Sequence, residues 1–168
     1  MTFQQLLVVG QCNVKTRDGG EQIAYDAERE ELYKNEDLEN GLFTVLGGNT
    51  LFFSKADKEL HTSHVIRIYV GTLGSKKEII PRQLTITFSN NSSITLTADN
   101  ISDPQLIGRV RLIACGFRLT YKETMSVIDY DIKSMTITDN RTGQSFRFQP
   151  YSKIFKEQFE CIVVKAKG

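Results

Sequence analysis

The chain has 168 residues, 40% of them hydrophobic and 24% charged, with a formal net charge of +1. That length fits a single domain spanning residues 1–168, and so small a charge gives no electrostatic case for nucleic acid or an anionic membrane surface. No apolar run approaches the ~20 residues of a transmembrane segment. Trp is absent, but 10 Phe and 6 Tyr supply aromatic area for a core.

Residues 1–11 allow two readings. Leu6-Leu7-Val8-Val9 before Gly10 reads as a signal-peptide remnant or as a first strand. It lacks the basic start and the length of a full signal. Gln11 before Cys12 argues against a lipid anchor, which wants a small residue there. Cys12–Thr16 and Gln22–Tyr25 read as short strands around the turn Arg17-Asp18-Gly19-Gly20. The charged stretch from Asp26 to Asn40 reads as a short helix over Ala27–Lys34 or as a solvated loop.

Leu42–Leu46 and Thr50–Ser54 are apolar runs separated by Gly47-Gly48-Asn49, which predicts a hairpin with Phe43, Val45, Leu51 and Phe53 in the core. Val65–Val70 reads as a strand, and Gly71 to Lys77 as a loop. Leu84, Ile86 and Phe88 alternate with Thr and Ser, as do Ile94, Leu96 and Ala98. The polar turn 90–93 joins them into the clearest hairpin in the chain, with one wet face. Residues 101–108 are irregular around Pro104, and Arg109–Cys115 is a further strand that Gly116 ends.

Thr120-Tyr-Lys-Glu123 fits a capping box, which predicts a short helix near 120–130 with Tyr121, Met125 and Ile128 on one face. From Ile132 the period changes to two, with Met135 and Ile137 on one side. Asp139 to Gly143 supplies a turn, and Phe146 and Phe148 resume the alternation. Ser152 suits a cap for a C-terminal helix near 152–163, with Ile154, Phe155, Phe159 and Ile162 at helical spacing. Ile162-Val163-Val164 fits a strand as well. The resulting class is α+β, mostly antiparallel β, in one sheet-rich domain.

Candidate sites are sparse. The three cysteines, Cys12, Cys115 and Cys161, lack paired spacing for zinc, and an odd count leaves at least one thiol free. Cys115 lies in an apolar strand and reads as a buried small hydrophobe. Cys12 and Cys161 form a possible disulfide if the two ends of the chain meet. His61 and His64 read as a polar loop tip rather than a metal pair, and a Cys115–His64 couple reads as inert. The acidic cluster Glu28, Glu30, Glu31, Glu36, Asp37 and Glu39 lacks the alternation and glycine of a calcium loop. Gly71-x-x-Gly74 has the wrong spacing for a phosphate loop. Asp129 with Asp131, and Asp99 with Asp103, are close in sequence, but a glycosidase needs its carboxylates facing each other across a cleft, and sequence neighbours of this kind usually solvate loops or cap elements. Sequons at Asn90, Asn91, Asn100 and Asn140 are expected by accident in a turn-rich chain. No catalytic, cofactor or metal residue is assigned.

Three stretches taken together carry a resemblance: Gln11-Cys12-Asn13-Val14-Lys15 before an Asp-Gly turn, the segment from Phe117 to Asp139, and the closing run from Tyr151 to Val164. They resemble small secreted or periplasmic β-rich domains of Gram-negative bacteria with no assigned activity. In that family the cysteine-bearing start follows a cleaved signal peptide. The resemblance implies an exported β-rich module with its two terminal cysteines near each other, and it carries over no catalytic residue. The chain departs from the pattern in lacking a complete signal peptide, so either its start is trimmed or the protein stays inside.

The leading expectation is therefore an exported, non-enzymatic module, structural or binding, in the periplasm or outside the cell. An envelope protein or a glycan is its expected partner. The second reading is a hydrolase or carbohydrate-active enzyme using loop carboxylates. The third is a cytoplasmic adaptor that adds a strand to a partner at a sheet edge.

Overall fold

The most cleanly alternating hairpins of the sequence come together in one sheet. The computed structural model describes residues 13–37, 39–57, 61–74, 76–151 and 153–168. Among them, Gln83–Phe88 (β6) pairs with Ser93–Thr97 (β7), and Ile132–Asp139 (β11) with Gln144–Phe148 (β12). β6 and β11 pair antiparallel, giving the order β12-β11-β6-β7. Leu84, Ile86, Phe88, Met135 and Ile137 line the buried face at 0% exposure, so the period-two reading places the core correctly.

The larger sheet holds Val14–Asp18 (β1), Gln22–Ala27 (β2), Glu30–Asp37 (β3), Gly41–Ser54 (β4), His61–Gly74 (β5), Asn100–Ile101 (β8), Gln105–Ile107 (β9) and Val110–Leu119 (β10). Its order is β1-β2-β4-β5-β10-β8, with β3 on β4 and β9 on β10. The pairings are antiparallel throughout. Two helices complete the described chain, Tyr121–Asp129 (α1) and Ile154–Lys167 (α2). The fold is α+β and sheet-rich, as the sequence predicts.

β4 organises the core. Its first half pairs with β3, and its inner residues Phe43 and Val45 share a cluster with Leu84, Ile86 and Met135 of the small sheet. Its second half pairs with β2, and Leu51 and Phe53 pack against Phe159, Ile162 and Ala166 of α2. Each such buried Leu or Ile contributes roughly 1.5–3 kcal/mol before entropy.

Several predicted boundaries are corrected. Gly47-Gly48-Asn49 is not a turn: one 14-residue strand runs through it. Neither glycine takes a positive φ. They are there for space. A Cβ on Gly47 would lie 2.7 Å from Leu32 and 2.9 Å from Phe155, and one on Gly48 would lie 2.8 Å from Arg67 Nη2. The described residues between 26 and 37 form neither a helix nor a free loop. β3 occupies most of this stretch, with Leu32 fully buried, a bulge between Glu31 and Tyr33, and most of its charged side chains exposed. The expected loop at Gly71 is strand as far as Gly74, and Gly116 lies inside β10 rather than at its end. Residues 101–108 carry the short strands β8 and β9.

α1 has the predicted capping box. Thr120 Oγ1 accepts from the Glu123 amide at 3.2 Å, and the Glu123 carboxylate accepts from the Thr120 amide at 2.8 Å. Its buried face, however, is Thr124 and Val127, and Tyr121 is 73% exposed. The helix is rotated to aim Thr124 at a buried histidine. α2 is longer than expected and absorbs Ile162-Val163-Val164 as helix. Ser152 lies outside the described residues.

Candidate ligand-binding groove

The histidines are strand residues, not a loop tip. His64 on β5 is 1% exposed and sits where β4, α1 and α2 meet. Its Nε2 lies 2.7 Å from Asn49 Oδ1 and its Nδ1 lies 3.1 Å from Thr124 Oγ1. Asn49 Nδ2 donates to the Phe155 carbonyl at 2.9 Å, so its oxygen faces His64. The carbonyl-type oxygen can only accept, so His64 carries its proton on Nε2 and accepts from Thr124 at Nδ1. Gln158 extends the chain: it accepts from the Asn49 amide at 3.0 Å and donates to the Glu28 carbonyl at 2.8 Å. Burial, with a smaller contribution from the charge of His61, lowers the His64 pKa to about 3. The histidine is a neutral structural member of the core.

Cys115 is a free thiol, 1% exposed. Burial pushes it up to about 12. His64 hydrogen-bonds to Asn49 and Thr124, and no couple with Cys115 forms. Cys161 lies in α2 and is disulfide-bonded, while Cys12 lies outside the described residues.

The open chemistry lies on the other face of the large sheet. Arg67 of β5 has Gly48 directly opposite on β4 and Gly116 directly opposite on β10. With no side chain on either flank, its guanidinium lies across β4. It donates to the Tyr69 hydroxyl and to the carbonyls of Ala27 and Asn49. The Tyr69 ring lies under it at 5.6 Å, and Arg29 stacks on the same ring at 5.1 Å. All of these partners are neutral. Among the described residues no carboxylate stands within ion-pair distance of Arg67, and its buried Nε has no hydrogen-bond partner.

Arg67 forms the ridge between two hollows. One, of about 490 Å³, is walled by Arg17, Thr50, Phe52 and Val65 on one side and by Asn100, Ile101 and Arg118 on the other. The second, of about 520 Å³, adds Lys15, Glu28, Arg29 and Tyr69. Asp26 lies beside the ridge. Burial alone would raise its carboxyl, but hydrogen bonds from Arg17 and Thr50, with the charges of Arg17 and Arg67, hold it below the usual carboxylate range. Asp99 accepts from the Arg118 amide at 3.0 Å and lies 3.9 Å from its guanidinium.

All four residues of the two carboxylate pairs are exposed. Asp131 pairs with Lys153 at 3.1 Å beside a smaller cleft of about 190 Å³ between Tyr130 and Tyr151, while Asp129 is exposed at the end of α1. Asp99 is at the groove, and Asp103 is exposed on the β8–β9 connection. A partly buried pair that the sequence did not signal, Arg82 with Asp139 at 3.1 Å, lies at the end of the small sheet. Among the described residues no group of three or more His, Cys, Asp or Glu side chains is placed to hold a metal ion. No helix is long and apolar enough to cross a membrane among them. β8 and β9 form one margin of the large sheet and span two and three residues, with Leu106 75% exposed. The groove was missed because Arg67 alternates with apolar neighbours in an ordinary strand pattern. The one local signal was an arginine two residues before a tyrosine inside an apolar strand. No family model, curated protein or solved structure matches the chain.

Proposed function

We propose that the protein is an exported, non-enzymatic binding module that takes its ligand in the double hollow over Arg67. The observation that carries this reading is the fixed guanidinium. It is held by neutral hydrogen-bond acceptors between two glycines, with Asp26 as the nearby carboxylate its charge acts on, and it forms the shared wall of both hollows. The groups with catalytic chemistry support the same reading. His64 and Cys115 are sealed in the core, and Asp26 is engaged by Arg17 and Thr50. A rigid cation without a poised base suits recognition better than turnover. The disulfide at Cys161 supports export, because such bonds persist in oxidising compartments, and Cys12 is the partner we assign to it.

Alkylation and intact mass of protein from its native cells, without reductant, test the compartment. One free thiol, Cys115, is expected; three would contradict export. Turnover on a glycan and ester panel, abolished by Asp26→Asn or Asp99→Asn, would contradict the binding reading and favour the hydrolase.

A further inference from the structure

We infer that a second copy of this chain docks on the β9 margin of the large sheet, with β9 pairing to its own equivalent, antiparallel, about a two-fold axis at Leu106. The inference is independent of what the groove over Arg67 binds.

The two margins of the large sheet differ. On β1, Thr16, Arg17 and Asp18 are exposed, and the Val14 carbonyl accepts from Lys165 Nζ at 2.7 Å. Such a polar edge resists further strands. The β9 margin is apolar. Among the described residues seven large hydrophobic side chains are exposed, and three of them, Ile101 at 39%, Leu106 at 75% and Ile107 at 49%, fall within 101–107.

The backbone of this edge is open too. Gly108 and Arg109 form the two-residue turn between β9 and β10. Gly108 has φ +62° and Arg109 does not have a positive φ, which fits a type II′ turn. Ile107 and Val110 then close the turn as a hydrogen-bonded pair, and the ladder alternates from there. Leu106, opposite Arg111, therefore points its amide and carbonyl away from β10. Among the described residues β9 pairs with no strand but β10.

The edge is complementary to itself. Pairing about Leu106 bonds each Leu106 amide to the other copy's Leu106 carbonyl and sets Gln105 against Ile107. Asp103 and Arg109 stand at equal distances on either side of Leu106, so each copy's Asp103 comes opposite the other's Arg109. Both side chains are exposed, and neither enters an ion pair among the described residues. Arg111, beside Leu106, is already paired with Glu78 at 2.6 Å. Opposite charges set symmetrically about an apolar centre suit a partner that presents the same edge reversed. Because β1 is polar, pairing closes at two copies instead of propagating.

Sedimentation velocity of the full chain from about 1 µM to about 1 mM tests this; so short a pairing gives a weak dimer, dissociating at roughly tens of micromolar. Leu106→Asp, which sets two carboxylates face to face, is expected to stay monomeric throughout with an unchanged melting temperature. Asp103→Arg and Arg109→Asp are each expected to weaken the dimer about tenfold, since like charges then meet on both sides of the axis. The double variant Asp103→Arg/Arg109→Asp is expected to recover it, because each charge again meets its opposite. A native protein that is monomeric at every concentration overturns the inference. So does a dimer that survives Leu106→Asp, growth beyond two copies, or a double variant that dimerises no better than the single ones.

Discussion

His64 Nε2 lies 2.7 Å from Asn49 Oδ1, and through that bond a strand, its neighbour and two helices are fixed to one another. The network has a pH consequence. Burial holds His64 at about 3, below the ordinary 6.5, so the unfolded chain takes up a proton that the folded state refuses. The stability this gives is fully present above pH 6.5 and is lost as pH falls from 6.5 toward 3. The slope is at most about 1.4 kcal/mol per pH unit. His61, half-buried and also lowered, adds in the same direction. Urea unfolding between pH 4.5 and 7 is expected to show a steeper decline in the native protein than in His64→Gln. Equal slopes would contradict the role given to this residue.

Gly47 is a spacer, not a turn. In Gly47→Ala the new methyl would meet Leu32 and Phe155, both buried and unable to withdraw. A loss of about 1–3 kcal/mol is expected from overpacking. An unchanged denaturation midpoint would show that the strand can shift to make room.

The Cys115 thiol should be inert while the protein is folded. With its pKa pushed up to about 12 by burial, almost no thiolate exists at pH 8. Iodoacetamide is expected to leave Cys115 unmodified in buffer and to label it in denaturant. Rapid labelling under native conditions would contradict the packing described.

Thr120→Ala removes one half of the capping box and should cost about 1 kcal/mol. The cost should appear in equilibrium unfolding. A change below about 0.3 kcal/mol would mean that tertiary packing, rather than the cap, sets the start of α1.

The elements legible in the sequence are those whose causes are local. The box at Thr120 and Glu123 closes within four residues, and the alternation of Leu84, Ile86 and Phe88 needs only a sheet with one dry face. What escaped reading has distant causes. Gly47 and Gly48 look like a turn until Phe155 and Arg67 are placed against them. Charged residues masked β3 as a helix or loop because its one deep anchor, Leu32, is a single residue. His64 looked polar and loose because its partners lie 15 and 60 residues away. The groove escaped for the same reason: Arg17, Arg67 and Arg118 come from three strands that only the sheet order brings together.

The central claim is that the outer face around Arg67 is the binding surface. The most direct measurement is an amide NMR titration of the isotope-labelled protein with a panel of soluble glycans. The account predicts shifts concentrated at Val65, Arg67, Asn100, Gly116 and Arg118, saturating together. Shifts concentrated instead at Tyr130, Lys153 and Lys156, around the smaller cleft, would contradict it.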